Sequence, residues 1–252
     1  MRVLVIGSKR HLDDIQGERF NDSSRSLGAA LATAGHEVIV CSPSFHTADP
    51  FIIEGMKTVL GTHRVTLFRL PSESEELYKQ VYEPSELGSQ VPGKLIFDHR
   101  IAEGGWRVIH LHAIRYADVV VAIGGSTSGT HTTVYSSELL ETPVILIPTL
   151  GGAAENAWSY FRGRYYSDGE ANILQRPWHP GADTWGTQIV EVIQSFAKRN
   201  PMAQTHYRED MVAAALGALS VVSWFFLFFG PSKGQLTLTL VTLGVNQVTL
   251  LR

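Results

Sequence analysis

The segment Gly124-Gly125-Ser126-Thr127-Ser128-Gly129-Thr130 gathers more potential chemistry than any other stretch of this chain. Its glycines let the backbone approach a ligand closely, and its serines and threonines add hydroxyl donors. If a helix opens at its end, the N–H groups of the first turn and the helix dipole favour an anion. Together these suit a phosphate. The segment is not a Walker A motif, because no lysine follows Gly129-Thr130, and it lacks the spacing of the dinucleotide fingerprint. A tight strand-to-helix turn with no ligand is the competing reading.

Two other glycine-bearing segments follow apolar runs in the same way. Gly7-Ser8-Lys9-Arg10 ends Val3–Ile6 and offers small residues with two cations; Gly151-Gly152 comes soon after Val144–Ile147. On neighbouring parallel strands, the three would share the edge where open α/β sheets bind ligands. The candidate binding residues are therefore Gly7, Ser8, Arg10, Gly124, Gly125, Ser126, Thr127, Ser128, Gly129, Thr130, Gly151 and Gly152. Gly151-Gly152 reads equally as a plain turn, and Arg10 and Arg19 as solvated surface. His131 has the right place for an acid, a base or a phosphate contact, yet no carboxylate follows closely. His110 and His112, two apart, do not share one face of a helix and read as structural. No His/Cys/Asp grouping has metal-ligand spacing, so no metal and no cofactor is expected, and no residue is assigned catalysis.

The elements that would position these residues alternate as strand and helix. Val3–Ile6, Val38–Cys41, Val65–Leu70, Val119–Ile123 and Val144–Ile147 are short apolar runs, as buried parallel strands should be. Between them, residues 24–34, 51–60, 106–116 and 130–140 have helical composition. Helices are also expected over residues 153–161 and 184–197, the latter with Ile189, Val192, Ile193 and Phe196 inward. The acidic, Pro- and Gly-punctuated stretch 71–93 reads as a surface excursion. This pattern predicts an α/β domain over residues 1–197, a parallel sheet flanked by helices.

With 252 residues, net charge −3 and one cysteine, the chain offers neither a global basic field for nucleic acid nor a disulfide framework. Cys41 sits in an apolar run and reads as core. No signal peptide is expected from the short run Val3–Ile6, which places the soluble domain on the cytoplasmic side. Residues 198–210 read as a linker. Residues 211–229 contain no charge over about 19 residues, near the length of a membrane span. Residues 236–251 are apolar but marginal for a span. Gln235, Thr239, Thr242, Asn246 and Thr249 recur there at steps of four and three, a helical stripe that suits either a helix–helix seam or a pore lining. One or two transmembrane helices are therefore expected to follow the α/β domain.

The succession from Ala117-Asp118 through Val119–Ile123, Gly124-Gly125, Gly129-Thr130, Pro143 and Gly151-Gly152-Ala153-Ala154 resembles the SLOG superfamily, which is related to the LOG enzymes and to Smf/DprA. The likeness covers roughly residues 1–197 and is strongest from Ala117 to Trp158. It implies a Rossmann-like domain that binds nucleotide derivatives. LOG enzymes hydrolyse nucleoside monophosphates with a glutamate soon after the Gly-Thr pair. Here His131-Thr132-Thr133-Val134 stands there, and Glu138 lies two turns on. The resemblance thus implies a membrane-anchored, homo-oligomeric sensor of a nucleotide-type ligand, ADP-ribose-like or cyclic, similar to antiphage effectors. A LOG-like nucleotide hydrolase or N-glycosidase is the alternative. Nucleic acid is not an expected partner.

Overall fold

The computed structural model describes residues 1–82, 93–182 and 184–199. Six parallel strands form one sheet in the order β4-β3-β2-β1-β5-β6. They are β1 Arg2–Ser8, β2 Glu37–Val40, β3 Gly61–Arg69, β4 Gly93–Ile101, β5 Val119–Gly124 and β6 Val144–Ile147. The helices are α1 Asp14–Thr33, α2 Asp49–Lys57, α3 Glu75–Tyr82, α4 Trp106–Tyr116, α5 Gly129–Leu139, α6 Gly152–Tyr165, α7 Asp168–Leu174 and α8 Trp185–Arg199. The chain builds outward from β1 to β4 and then returns to pair β5 with the other side of β1. The architecture is Rossmann-like, and its topological switch point lies between β1 and β5.

Burial explains which strands could be read from composition. Every residue of β5 and β6 is buried, so both are unbroken apolar runs. β4 is an edge strand in which half-buried Leu95, Phe97 and His99 alternate with exposed Lys94, Ile96 and Asp98. The apolar count of β4 is too low to announce a core strand, and it was not expected. Helix α3 lies inside the stretch read as a surface excursion, which is corrected to that extent: Tyr78 and Tyr82 are buried, and the Tyr82 hydroxyl donates to the carbonyl of Ser42. Residues 83–92 lie outside the described residues.

Helix α1 begins ten residues earlier than expected. Asp13 caps it by accepting from Gln16 N at 2.8 Å, and its first turns are polar and largely exposed. Where α1 crosses α2, a Cβ at Gly28 would lie 2.1 Å from the Ile52 carbonyl oxygen and one at Gly55 would lie 2.0 Å from that of Arg25. The two backbones thus touch without side chains between them. Helix α7, also unexpected, starts from a capping box of Ser167 and Glu170. Glu170 further receives Arg199 and Ser195, which ties α7 to α8.

Among the described residues no helix is long and apolar enough to cross a membrane. The expected spans 211–229 and 236–251 lie outside the described residues, as does the expected linker beyond Arg199. Residues 198 and 199 complete α8.

Candidate functional site

The crevice between β1 and β5 opens into a cleft of about 480 Å³. Seven of the twelve expected residues line it: Gly7, Ser8, Arg10, Ser126, Ser128, Gly129 and Thr130. The end of β1 is tied on both sides. Gly125 N donates to Ser8 O at 3.0 Å, while the β2–α2 loop folds back through Lys9 N to His46 O and Ala48 N to Gly7 O. That loop supplies Ser42, Pro43, Ser44 and Thr47 to the opposite wall.

The glycines divide by role. Gly7 lines the cleft, yet its missing side chain serves the sheet: a Cβ there would lie 2.2 Å from the Ile123 carbonyl oxygen. Gly125 has φ +99°, and a Cβ would meet the Thr130 side chain at 2.4 Å. Gly124, Gly125 and Thr127 form the turn without lining the cleft. Gly151 and Gly152 stand behind that turn, where Ala153 N donates to Gly125 O at 3.0 Å and a Cβ at Gly152 would lie 2.3 Å from the same oxygen. The structure therefore gives Gly151-Gly152 no place on the cleft surface.

The start of α5 is partly satisfied by Ser126. Its Oγ accepts from Gly129 N at 3.0 Å and its carbonyl oxygen from His131 N at 3.3 Å. The N–H groups of Ser128 and Thr130 have no partner among the described residues. With the hydroxyls of Ser8, Ser128 and Thr130, they give this end of the cleft a surplus of donors. Exposed Arg10 adds a cation that forms no ion pair among the described residues. The neighbouring Lys9 turns away, donating to Asn21 Oδ1 at 2.8 Å and lying over the Phe51 ring. Arg19 is exposed and does not line the cleft.

Four further lining residues were not expected from sequence: Asp49, Glu73, Trp106 and His110. Asp49 is buried at the start of α2, and its Oδ1 accepts from Cys41 N at 2.7 Å and Ser42 N at 3.1 Å. Burial pushes its carboxyl pKa up, against the pull of those N–H groups. Glu73 comes from the β3–α3 loop. Its Oε2 receives the Tyr78 hydroxyl at 2.5 Å and Leu70 N at 3.3 Å. Trp106, at the start of α4, is 40% exposed, a large apolar ring open to solvent at the cleft.

His110 and His112 lie on the helix expected over 106–116, and they diverge: His112 is exposed, whereas His110 lines the cleft with Nδ1 2.8 Å from Thr133 Oγ1. Burial lowers the His110 pKa, so the ring is neutral near neutral pH. The two candidates for a hydrolase are elsewhere. His131 packs on Tyr135 with ring centroids 4.7 Å apart, and Glu138 accepts from the hydroxyls of Tyr160 and Tyr165 between α5 and α6. Neither lines the cleft. No metal-binding group of three or more His, Cys, Asp or Glu occurs among the described residues.

No family model matches the chain, and no curated protein matches it. Among solved structures it is similar to the X-ray structure of TM1055, a structural-genomics target, at 22% identity and a TM-score of 0.49. The match covers 68% of this chain and 88% of that one.

Proposed function

We propose that this chain is a membrane-anchored sensor of a nucleotide-derived ligand, with a SLOG-like domain over residues 1–197 that binds it. One observation carries the binding half of this reading: a cleft at the sheet's switch point is lined on one side by the donor-rich start of α5 and on the other by Ser8 and Arg10. Ligands of open α/β folds bind at such points, and free N–H groups with an unpaired cation suit a phosphate. The exposed ring of Trp106 at the same cleft suits a base better than it suits bare phosphate. The uncharged run 211–229 supports the membrane half. In this reading the ligand favours one arrangement of a homo-oligomer, through different affinity for two states, and the membrane segment responds. An antiphage effector would work in this manner, its soluble domain in the cytoplasm.

The test uses the full chain in lipid nanodiscs. Calorimetric titration with a panel of nucleoside monophosphates, cyclic nucleotides and ADP-ribose, with chromatography of the same samples, should give binding with the ligand recovered intact. Absence of binding to every member would remove the nucleotide reading. Failure of the full chain to float with lipid vesicles would remove the membrane reading.

One observation favours a second reading, a LOG-like nucleotide hydrolase. No carboxylate stands within the four residues after Thr130, yet the fold brings Glu73 and Asp49 to the same cleft with neutral His110. A carboxylate and an imidazole beside a nucleotide are the groups that general acid–base hydrolysis needs. Release of a free base during the titration would establish it.

A further inference from the structure

The side of the cleft away from β5 carries acceptors. β3 lies two strands from β1, so the loop after β3 sits roughly 10 Å from the end of β1 by the ordinary spacing of strands. Glu73 reaches the cleft from that loop. Both of its donors, Tyr78 Oη and Leu70 N, go to Oε2, and Oε1 has no partner among the described residues. Asp49, the other cleft carboxylate, is occupied by the N–H groups of Cys41 and Ser42.

His110 lines the cleft from α4, against α5, with Nδ1 2.8 Å from Thr133 Oγ1. The Thr133 hydroxyl has one proton and two acceptors in reach, His110 Nδ1 and Gly129 O at 3.0 Å. Given to Gly129 O, that proton leaves the ring with N–H at Nδ1 and a lone pair at Nε2; given to Nδ1, it leaves an N–H at Nε2. In either tautomer Nε2 has no partner among the described residues. The ring's lowered pKa keeps it neutral near neutral pH.

We propose that Glu73 Oε1 and His110 Nε2 read the sugar of the ligand by hydrogen bonding two ribose hydroxyls, one donating to the carboxylate and the other paired with the ring nitrogen in either tautomer. The proposal rests on the phosphate lying at residues 126–130. It narrows the ligand class to a nucleotide with free 2′- and 3′-hydroxyls, and so away from cyclic phosphates that block one of them. A bare anion gains nothing at this end, where a carboxylate repels it. A nucleotide without the hydroxyls leaves both groups unpaired, which is how a site built for a hydroxyl rejects its deoxy analogue.

The experiment titrates the full chain in nanodiscs with AMP, 2′,3′-dideoxy-AMP and inorganic phosphate. AMP should bind at least about tenfold more tightly than the dideoxy probe. His110→Phe leaves Thr133 its bond to Gly129, and Glu73→Gln keeps an amide oxygen for Tyr78 and Leu70. Each should weaken AMP and narrow its advantage, with the dideoxy affinity within about twofold of the parent. Equal affinity of the two nucleotides in the parent chain would overturn the sugar assignment and leave the phosphate site standing. An unchanged ratio in both variants would overturn the two residues. If neither nucleotide binds, the phosphate-site reading falls together with it.

Discussion

The two ends of the cleft are built differently. At the β5–α5 end the work is done by backbone: glycines with positive φ, unpaired N–H groups and short hydroxyl side chains, all within residues 124–130. At the β2–β3 end it is done by side chains from separate elements, Asp49 from α2 and Glu73 from the β3–α3 loop, while His110 of α4 stands between the two ends against Thr133 of α5. A backbone site needs a contiguous segment, because each N–H must follow its neighbour into one turn. A side-chain site needs only that several elements converge. The first end offers donors and the second acceptors, so the comparison can be broken at either end separately.

The largest effect should come from charge at the backbone end. Gly125→Asp is a poor test, because Gly125 has φ +99° and no space for a side chain. Ser128 is exposed, lines the cleft and is the N-cap of α5. Ser128→Asp should keep the melting temperature, since the side chain is exposed and a negative charge at a helix start is favoured by its dipole, while weakening phosphate-bearing ligands by about a hundredfold. Calorimetry and thermal denaturation of one sample check both. Unchanged affinity would place the phosphate elsewhere.

Next in size is a change that stays clear of both ends. Gly28→Ala forces a Cβ to within 2.1 Å of a carbonyl oxygen at the α1–α2 crossing. It should cost about 2–3 kcal/mol of stability and leave ligand affinity unchanged, as read by denaturant unfolding and titration. A loss of affinity with no loss of stability would mean that the helices shape the cleft. A smaller effect is expected at the aromatic edge. Trp106→Ala should weaken nucleotides about tenfold, the value of one stacked base, and spare inorganic phosphate. Equal weakening of both would remove Trp106 from the base site.

The smallest effect is a pH dependence outside the cleft. His36 is buried, its Nε2 lies 3.2 Å from Gln194 Nε2, and its pKa is lowered to about 4, chiefly by burial and then by the N-terminal charge. A histidine with a folded pKa below its unfolded one contributes stability that is intact above about 6.5 and lost as the pH falls towards 4. The melting temperature should drop across that window by the equivalent of about 1 kcal/mol, solvent screening of the ring trimming the full shift. His36→Gln should flatten the drop and leave nucleotide selectivity alone. A drop of the same size in the variant would assign it to other groups.

The same contrast explains what could be read from the sequence. β1, β5 and β6 were legible because strands buried on both faces must be apolar throughout. The turn at 124–130 was legible because its glycines and hydroxyls are consecutive. β4 was not, because an edge strand alternates, and residues 94–100 read as mixed polarity. The first half of α1 was hidden by its exposed polar face, and Tyr78 and Tyr82 by the acidic residues around them. Glu73 and His110 were beyond reach for a different reason. They are 37 residues apart, and nothing short of the sheet order brings the loop after β3 and the face of α4 to one cleft.

The contact between Gly152 and the Gly125 carbonyl bears on how a mutational scan of this protein should be interpreted. Position 152 does not line the cleft, yet any side chain there must push the turn at 124–130 out of place. A scan scored by binding would rank Gly152 with the residues that line the cleft, and an uncharged small residue in place of the exposed Ser128 well below it. Ranked sensitivity would then trace the support of the turn, and chemical footprinting would be needed to find its surface.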